Sequence, residues 1–163
     1  MTPDLRVGLG FDLHGWGAAR QLYLGGVLFD GEPGLAGHSD GDVVCHAVGD
    51  AMLGAAALGD LGMHFPDTDP GIEGIAGLDL LAQVVGILAK AGWAAHGCDL
   101  TVVADRPSIA GRRDEIRRNL AEALSLELGS VSVKATRPEG LGLRGDGVGC
   151  LAVATIALAS SDT

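Results

Sequence analysis

The chain has 163 residues, 47% hydrophobic but only 4% aromatic, which fits one domain whose core is built from aliphatic side chains. We therefore expect residues 1–163 to form a single domain. The formal net charge of −10 at pH 7 argues against broad binding to nucleic acid or to an anionic membrane.

The N-terminal segment carries two strand signals. Apolar residues at positions 7, 9, 11 and 13 alternate with glycine and polar residues, which predicts a strand over residues 5–13. Residues 22–29 hold short apolar runs around Gly25 and Gly26, which predicts a strand pair or a kinked strand. We expect a loop through Pro33 and Gly37 to follow.

A helix is predicted over residues 42–58, with Ser39 as its N-cap. Asp42, His46 and Asp50 are four residues apart, so they share one face of this helix. Residues 59–62 end the helix, and the two prolines of residues 63–70 predict a loop.

The second half alternates between helix and strand patterns. We predict helices over residues 78–91 and 112–124, and strands over residues 98–104, 130–135 and 148–157. The resulting order, β-β-α-α-β-α-β-β, predicts an α/β fold of the two-layer α+β kind, in which a mixed β-sheet packs against helices.

Cysteine usage bears on the compartment. Cys45, Cys98 and Cys150 are odd in number and scattered, which is typical of buried thiols in a reducing compartment.

The first residues lack a basic start and a long apolar stretch, so we expect no signal peptide. The longest apolar run, near residues 51–58, is too short to span a bilayer. A cytoplasmic protein is the expectation.

One carboxylate and two imidazoles stand at positions suited to a metal ion. Asp12 and His14 lie one residue apart on a predicted strand and so share a face, and His46 follows on a predicted helix. This ligand set is usual for a catalytic zinc with an open fourth position. The alternative is that His46 is a hydrogen-bonded core residue. Asp42 and Asp50, one turn on either side of His46, are candidates to fix its tautomer.

Two further segments have both a structural and a functional interpretation. His38 and Ser39 precede a helix, where they form a turn and cap or, alternatively, contact a phosphate drawn to the helix N-terminus. Asp60 and Asp67 lie in an acidic loop, where they are solvated or, alternatively, accept hydrogen bonds from polyol hydroxyls. Patterning alone favours the solvated loop.

Basic residues are few and clustered. The run between residues 112 and 118 is typical of a solvated helix face, with Glu115 and Glu122 nearby. Further arginines stand at positions 106, 137 and 144. A protein of this net charge that handles a phosphorylated substrate needs local cations, and metal ions supply much of that charge.

At these residues the chain resembles a known family. Phe11-Asp12-x-His14, residues 37–43 with His46, residues 54–60 and residues 65–70 closely resemble 2-C-methyl-D-erythritol 2,4-cyclodiphosphate synthases, which are cyclases of the non-mevalonate isoprenoid pathway. The similarity continues through Arg106-Pro107, residues 133–136 and residues 139–143, and so covers nearly the whole chain in order.

The resemblance implies an assembly and two metal ions. The family forms homotrimers of α/β subunits, with sheets around a central axis and active sites at the subunit interfaces. Asp12, His14 and His46 are implied to hold Zn²⁺. Glu139 is implied to contact a second divalent ion, Mg²⁺ or Mn²⁺, near the diphosphate.

The resemblance also implies a reaction and a substrate site. The family cyclises a CDP-linked methylerythritol 2-phosphate to a cyclic diphosphate and releases CMP. The residues implied to act in catalysis are His38, Asp60 and Thr136. Further implied substrate contacts are Ser39, Phe65 and Asp67 on the polyol and phosphate side, and Ala104, Arg137 and Arg144 on the nucleotide and phosphate side.

The chain departs from the family pattern on the nucleotide side. Ser108 stands where the family usually has a lysine, Arg137 and Pro138 stand in a usual run of threonines, and Asp146 lies where a Gly-Arg-Gly-Glu-Gly run is usual. The sequence therefore indicates a divergent cyclase. The alternatives are a paralogue acting on another nucleotide-activated polyol phosphate, a zinc-dependent phosphohydrolase, or a non-catalytic trimer that binds an isoprenoid phosphate.

Overall fold

The computed structural model describes residues 4–37, 39–142 and 145–159. Within these ranges five strands form one sheet in the order β2-β1-β5-β3-β4. The strands are β1 Leu5–Leu24, β2 Val27–Leu35, β3 Trp93–Val103, β4 Val131–Thr136 and β5 Gly147–Leu158. β3 and β4 run parallel and the other neighbours antiparallel, which confirms the predicted mixed sheet.

Four α-helices accompany the sheet: α1 Val43–Ala55, α2 Leu61–His64, α3 Gly77–Lys90 and α4 Arg113–Ala123. The predicted order of elements is confirmed, except that the short α2 lies at the edge of a segment expected to be irregular. Short 3₁₀ turns lie at Pro70–Ile72, Ala110–Arg112 and Leu128–Ser130. Of the helices within the described ranges, none has the length and apolar character needed to cross a membrane.

The first strand is longer than its alternating pattern predicted. β1 pairs with β5 from Leu5 to Gly15, then with β2 from Trp16 onward through an irregular register. Pro33 lies inside β2 and not in the expected loop. An edge strand tolerates proline, because only one of its sides must donate hydrogen bonds to a neighbour.

One face of β1 is covered by α1, and glycines on that face make this close packing possible. A Cβ built on Gly8 would lie 2.0 Å from the Ala51 carbonyl oxygen, and one on Gly10 would lie 1.9 Å from that of Ala47. α1 therefore packs directly on the backbone of β1, which only residues without a side chain allow. The same face continues to Asp12, so α1 and the later part of β1 are held close together.

The buried carboxylate of Asp42 starts α1. Its side chain accepts hydrogen bonds from the backbone N–H groups of Val44 and Cys45, and also from those of Gly25 and Gly26 in the β1–β2 turn. Asp42, and not Ser39, is thus the N-cap, which corrects the sequence prediction. One carboxylate fixes both the helix start and the hairpin turn, and this leaves the Ser39 side chain for another use.

The three cysteines are free and buried, as predicted. Burial raises the pKa of Cys98 to about 12, and it raises the pKa of Cys45 and of Cys150 as well. These thiols are therefore protonated core side chains at neutral pH.

Candidate metal centre and adjoining clefts

The fold brings Asp12, His14 and His46 together. Asp12 and His14 project from β1 toward α1, and His46 lies in the first turn of α1. One carboxylate oxygen of Asp12 lies 3.0 Å from Nε2 of His14 and 3.0 Å from Nδ1 of His46. One nitrogen or oxygen atom from each residue lies within 4.8 Å of the other two. Within the described ranges, no other cluster of three His, Cys, Asp or Glu side chains has such spacing.

In each imidazole, the ring nitrogen that faces away from Asp12 has a hydrogen-bond partner. Nδ1 of His14 contacts the carbonyl oxygen of Ala36, and Nε2 of His46 lies 2.8 Å from Oγ of Ser39. A ring nitrogen that donates to such a partner leaves the other nitrogen with a lone pair, so His14 presents Nε2 and His46 presents Nδ1 toward Asp12.

The two aspartates that sequence reasoning proposed as holders of His46 have other roles. Asp42 caps α1, and Asp50 accepts a hydrogen bond from the backbone N–H of Leu61 at 2.8 Å. The residues that hold the rings were missed. The Ala36 contact is a backbone carbonyl, which no residue type signals, and the pattern around Ser39 indicated a helix cap or a phosphate contact but not a partner for His46.

The charges of the centre favour a cation. Burial raises the pKa of Asp12, but the hydrogen bonds and charges of His14 and His46 outweigh it and hold that pKa well below the usual range. The hydrogen bond to Asp12 raises the pKa of His14 above its usual value, although burial opposes this. A divalent ion would replace the proton that His14 otherwise shares with the carboxylate.

A cleft of about 230 Å³ opens beside the three residues. Ser39, Phe65 and Asp67 line it, and these are three of the predicted site residues. Asp50 adds a further carboxylate to its lining, and burial raises the pKa of this group. No lysine or arginine of the described chain lines this cleft, so an anionic ligand there needs a metal ion or a cation from elsewhere.

Of two further predicted residues, one lies outside the lining of this cleft and the other lies outside the described residues. Asp60 caps α2 by accepting a hydrogen bond from the Met63 backbone N–H at 3.0 Å, and it does not line the cleft. His38 lies outside the described residues.

Three residues that were predicted to lie on the nucleotide side line a second cleft of about 260 Å³. Ala104, Ser108, Thr136 and Arg137 face it, and so does Arg113, which sequence reasoning assigned to a solvated helix face. The backbone N–H of Ala104 donates to the carbonyl oxygen of Thr136 at 3.1 Å, which joins the two walls. The first and second clefts share no lining residue.

The loop after β4 carries the remaining predictions. Glu139 has a φ of +50° in a turn closed by a 2.8 Å hydrogen bond from Leu141 N–H to the Pro138 carbonyl oxygen. Asp146 accepts a hydrogen bond from the backbone N–H of Trp16 through its carbonyl oxygen. Arg144 lies outside the described residues.

Fold and site together define an α/β protein in which one carboxylate and two imidazoles, able to hold a metal ion, line a cleft. The model of the YgbB family matches residues 5–159. The chain therefore belongs to the YgbB family.

Individual relatives agree with this assignment. The chain is 51% identical over 158 residues to a bifunctional enzyme IspD/IspF of Anaeromyxobacter sp. (strain Fw109-5), covering 96% of this chain but 41% of that protein. It is 46% identical over 154 residues to a 2-C-methyl-D-erythritol 2,4-cyclodiphosphate synthase of Alkaliphilus oremlandii, covering 93% of this chain and 98% of the relative. The chain thus spans about two-fifths of the bifunctional relative and nearly all of the other.

A solved structure supports the same family assignment. A 2C-methyl-D-erythritol-2,4-cyclodiphosphate synthase in its CDP-bound form superposes with a TM-score of 0.85 at 32% identity. The match covers 93% of this chain and 99% of that one.

Proposed function

We propose that this chain catalyses the metal-dependent cyclisation of 4-diphosphocytidyl-2-C-methyl-D-erythritol 2-phosphate to 2-C-methyl-D-erythritol 2,4-cyclodiphosphate, with release of CMP. Such an enzyme is a phosphorus–oxygen lyase of non-mevalonate isoprenoid precursor synthesis. The observation that carries the proposal is the convergence of Asp12, His14 and His46 beside a cleft that also holds Phe65 and Asp67. The names of the relatives that match over nearly their full length support it.

The reaction needs no protein nucleophile. An oxygen of the 2-phosphate forms a bond to the β-phosphorus, and the bond from that phosphorus to the oxygen bridging to the α-phosphate breaks, so CMP leaves with the electron pair. The task of the protein is to align these polyanionic groups and to offset their repulsion.

We propose Zn²⁺ as the ion held by Asp12, His14 and His46. Two imidazole nitrogens and one carboxylate oxygen are a ligand set that suits a catalytic zinc, and all three side chains line the first cleft. When bound, zinc supplies a Lewis acid for a phosphoryl group. The contribution of the chain is to keep both imidazoles in the ligating tautomer, through the Ala36 carbonyl and the Ser39 hydroxyl.

Ser39 also suits a direct role toward the substrate. Its Oγ lies 3.2 Å from the backbone N–H of Gly41, which donates to it, and 2.8 Å from Nε2 of His46. With two hydrogen bonds accepted, its own O–H remains available as a donor to a phosphoryl oxygen in the cleft. We propose that His38, the preceding residue, contacts the terminal phosphate.

The polyol is proposed to lie between Phe65 and the acidic side chains of the first cleft. Phe65 offers an apolar surface for the carbon skeleton, and Asp67 offers carboxylate oxygens for hydroxyl groups. The geometry favours Asp67 over Asp60 for this role, because Asp60 caps α2 outside the cleft lining.

We propose a homotrimer in which the two clefts of neighbouring subunits complete one active site. Support comes from the outward face of β1, where Val7, Leu9 and Phe11 are 55–66% exposed. This apolar strip continues onto β5, since Leu9 pairs with Val153, which is also exposed. An apolar face of this kind marks a protein interface. Sheets buried against one another there would surround a central axis.

The second cleft is proposed to bind the cytidine and its phosphates through Ala104, Thr136 and Arg137. Arg144 and a second divalent ion, Mg²⁺ or Mn²⁺, held near Glu139, would add positive charge. Two of the departures from the family pattern, Ser108 and Arg137, line this cleft. The residues proposed to contact the nucleotide therefore differ from those usual in the family.

Product analysis tests the proposal. The chain is incubated with the cytidine diphosphate substrate, Zn²⁺ and Mg²⁺, and the products are analysed by mass spectrometry with and without a chelator. We expect CMP and the cyclic diphosphate in a chelator-sensitive reaction. A linear diphosphate product would indicate a zinc-dependent phosphohydrolase, and intact substrate after long incubation would indicate a binding protein.

A further inference from the structure

Two arginines of the second cleft have no acidic partner within the described part of the chain. Arg113 is the first residue of α4, and Arg137 follows the last residue of β4. Both line the second cleft, and neither takes part in the ion pairs formed among the described residues. In a chain of net charge −10, where acidic partners are plentiful, two such cations on one cleft require a reason.

Neighbouring arginines are used differently. Arg106 forms an ion pair with Glu32 at 3.4 Å, and Arg112 forms one with Glu115 at 2.7 Å. Arg112 also donates to the carbonyl oxygen of Leu28 at 3.1 Å, so both side chains fasten the cleft wall to β2. Neither Arg106 nor Arg112 lines the cleft. The paired arginines therefore hold the wall in place, while the unpaired ones face the cavity.

The cleft lining suits a nucleoside phosphate. Val102, Ala104 and Ile109 contribute apolar atoms to the lining, as ligand pockets for flat bases require. Among the charged residues of the lining, two arginines stand against a single carboxylate, that of Asp105. The cleft is therefore net positive, in contrast to the first cleft, whose lining holds carboxylates and no arginine or lysine.

We infer that Arg113 binds a phosphate oxygen of the nucleotide, together with Arg137. A guanidinium group matches phosphate through charge-assisted hydrogen bonds, and its neutral replacement loses them. This inference rests on the proposed function, which puts the nucleotide in the second cleft. It gives the cleft a cation from α4 in addition to the one from the loop after β4.

Calorimetric titration with CDP tests the role of Arg113. The variant is Arg113→Gln, and the matched control is Arg118→Gln, because Arg118 is an exposed arginine of the same helix that does not line the cleft. We expect the dissociation constant for CDP to rise about tenfold or more in Arg113→Gln, and to change less than about twofold in the control. Arg113→Lys should recover part of the loss, and the salt dependence of CDP binding should weaken in Arg113→Gln.

Cytidine separates a phosphate contact from a structural effect. Affinity for cytidine, which has no phosphate, should be the same in wild type and Arg113→Gln. An unchanged CDP affinity in Arg113→Gln, an equal loss in Arg118→Gln, or an equal loss for cytidine would each overturn the inference while leaving the proposed function standing. Failure of the wild type to bind CDP would overturn the nucleotide assignment of the cleft and the inference with it.

Discussion

The contact between Ser39 and His46 predicts how strongly the chain would hold the proposed metal ion. The Ser39 side chain is buried, and its Oγ lies 2.8 Å from Nε2 of His46. In Ser39→Ala the ring loses the partner that fixes its tautomer and orientation, although the ligand itself remains. Loss of such a supporting hydrogen bond typically lowers metal affinity about 10- to 100-fold, which is roughly 1.4 to 2.8 kcal/mol.

Competition with a chromophoric chelator measures this affinity for Zn²⁺. His46→Ala provides the limit in which a ligand is removed, and Ser132→Ala on the exposed side of β4 provides a control distant from the centre. We expect the zinc affinity of Ser39→Ala to fall between those of these two variants. The free energy of unfolding of the metal-free protein should drop by about 1–3 kcal/mol, because the buried N–H of Gly41 loses its acceptor. A zinc affinity equal to that of Ser132→Ala would refute the supporting role of Ser39.

Three further predictions concern the fold, the charges and the assembly. A methyl group on Gly10 would lie 1.9 Å from the Ala47 carbonyl oxygen, so Gly10→Ala should lower the free energy of unfolding in urea by about 3 kcal/mol, whereas Gly54→Ala meets no atom within 4 Å and should be harmless. The pKa of His14 is raised above 6.5, so its pairing should stabilise the metal-free protein below pH 6.5, and this stabilisation should be lost as the pH rises through the folded pKa. The affinity for zinc should instead increase as the pH rises, because a protonated imidazole cannot bind the ion. Leu9→Glu puts a charge on the exposed apolar face and should reduce the mass measured by ultracentrifugation from trimer to monomer.

Each of these predictions has an outcome that contradicts it. Equal stability of the two glycine variants would mean that α1 does not pack on the β1 backbone. A metal-free stability that rises between pH 6 and 8 would mean that the His14 pKa is not raised. A Leu9→Glu protein that remains trimeric would place the subunit interface on another face.

Much of the metal centre follows from short-range sequence patterns. Alternation along β1 puts Asp12 and His14 on one face, and the same period puts Leu9 and Phe11 on the other. The helical pattern after residue 42 places His46 near the start of α1. Because β1 and α1 meet through glycines, two local patterns and one close approach are enough to bring the three side chains together.

The contacts that complete the site depend on tertiary packing and could not be predicted in this way. The ring of His14 is held by the carbonyl oxygen of Ala36, which any residue could have supplied. The pattern predicted Ser39 as the N-cap of α1, but the N-cap is Asp42, because its buried carboxylate also accepts hydrogen bonds from the β1–β2 turn. Arg113 has the sequence character of a solvated helix residue, and only the fold puts it on the lining of a cleft that Arg137 also lines.

X-ray absorption at the zinc edge tests most directly whether one carboxylate and two imidazoles share a single ion. For the zinc-loaded protein we predict nitrogen and oxygen scatterers at about 2.0–2.2 Å, with the outer-shell pattern of two imidazole rings. In His14→Ala that pattern should weaken to one ring. A sulfur scatterer near 2.3 Å would contradict the account, because it would put a cysteine thiolate on an ion that the three side chains are claimed to hold.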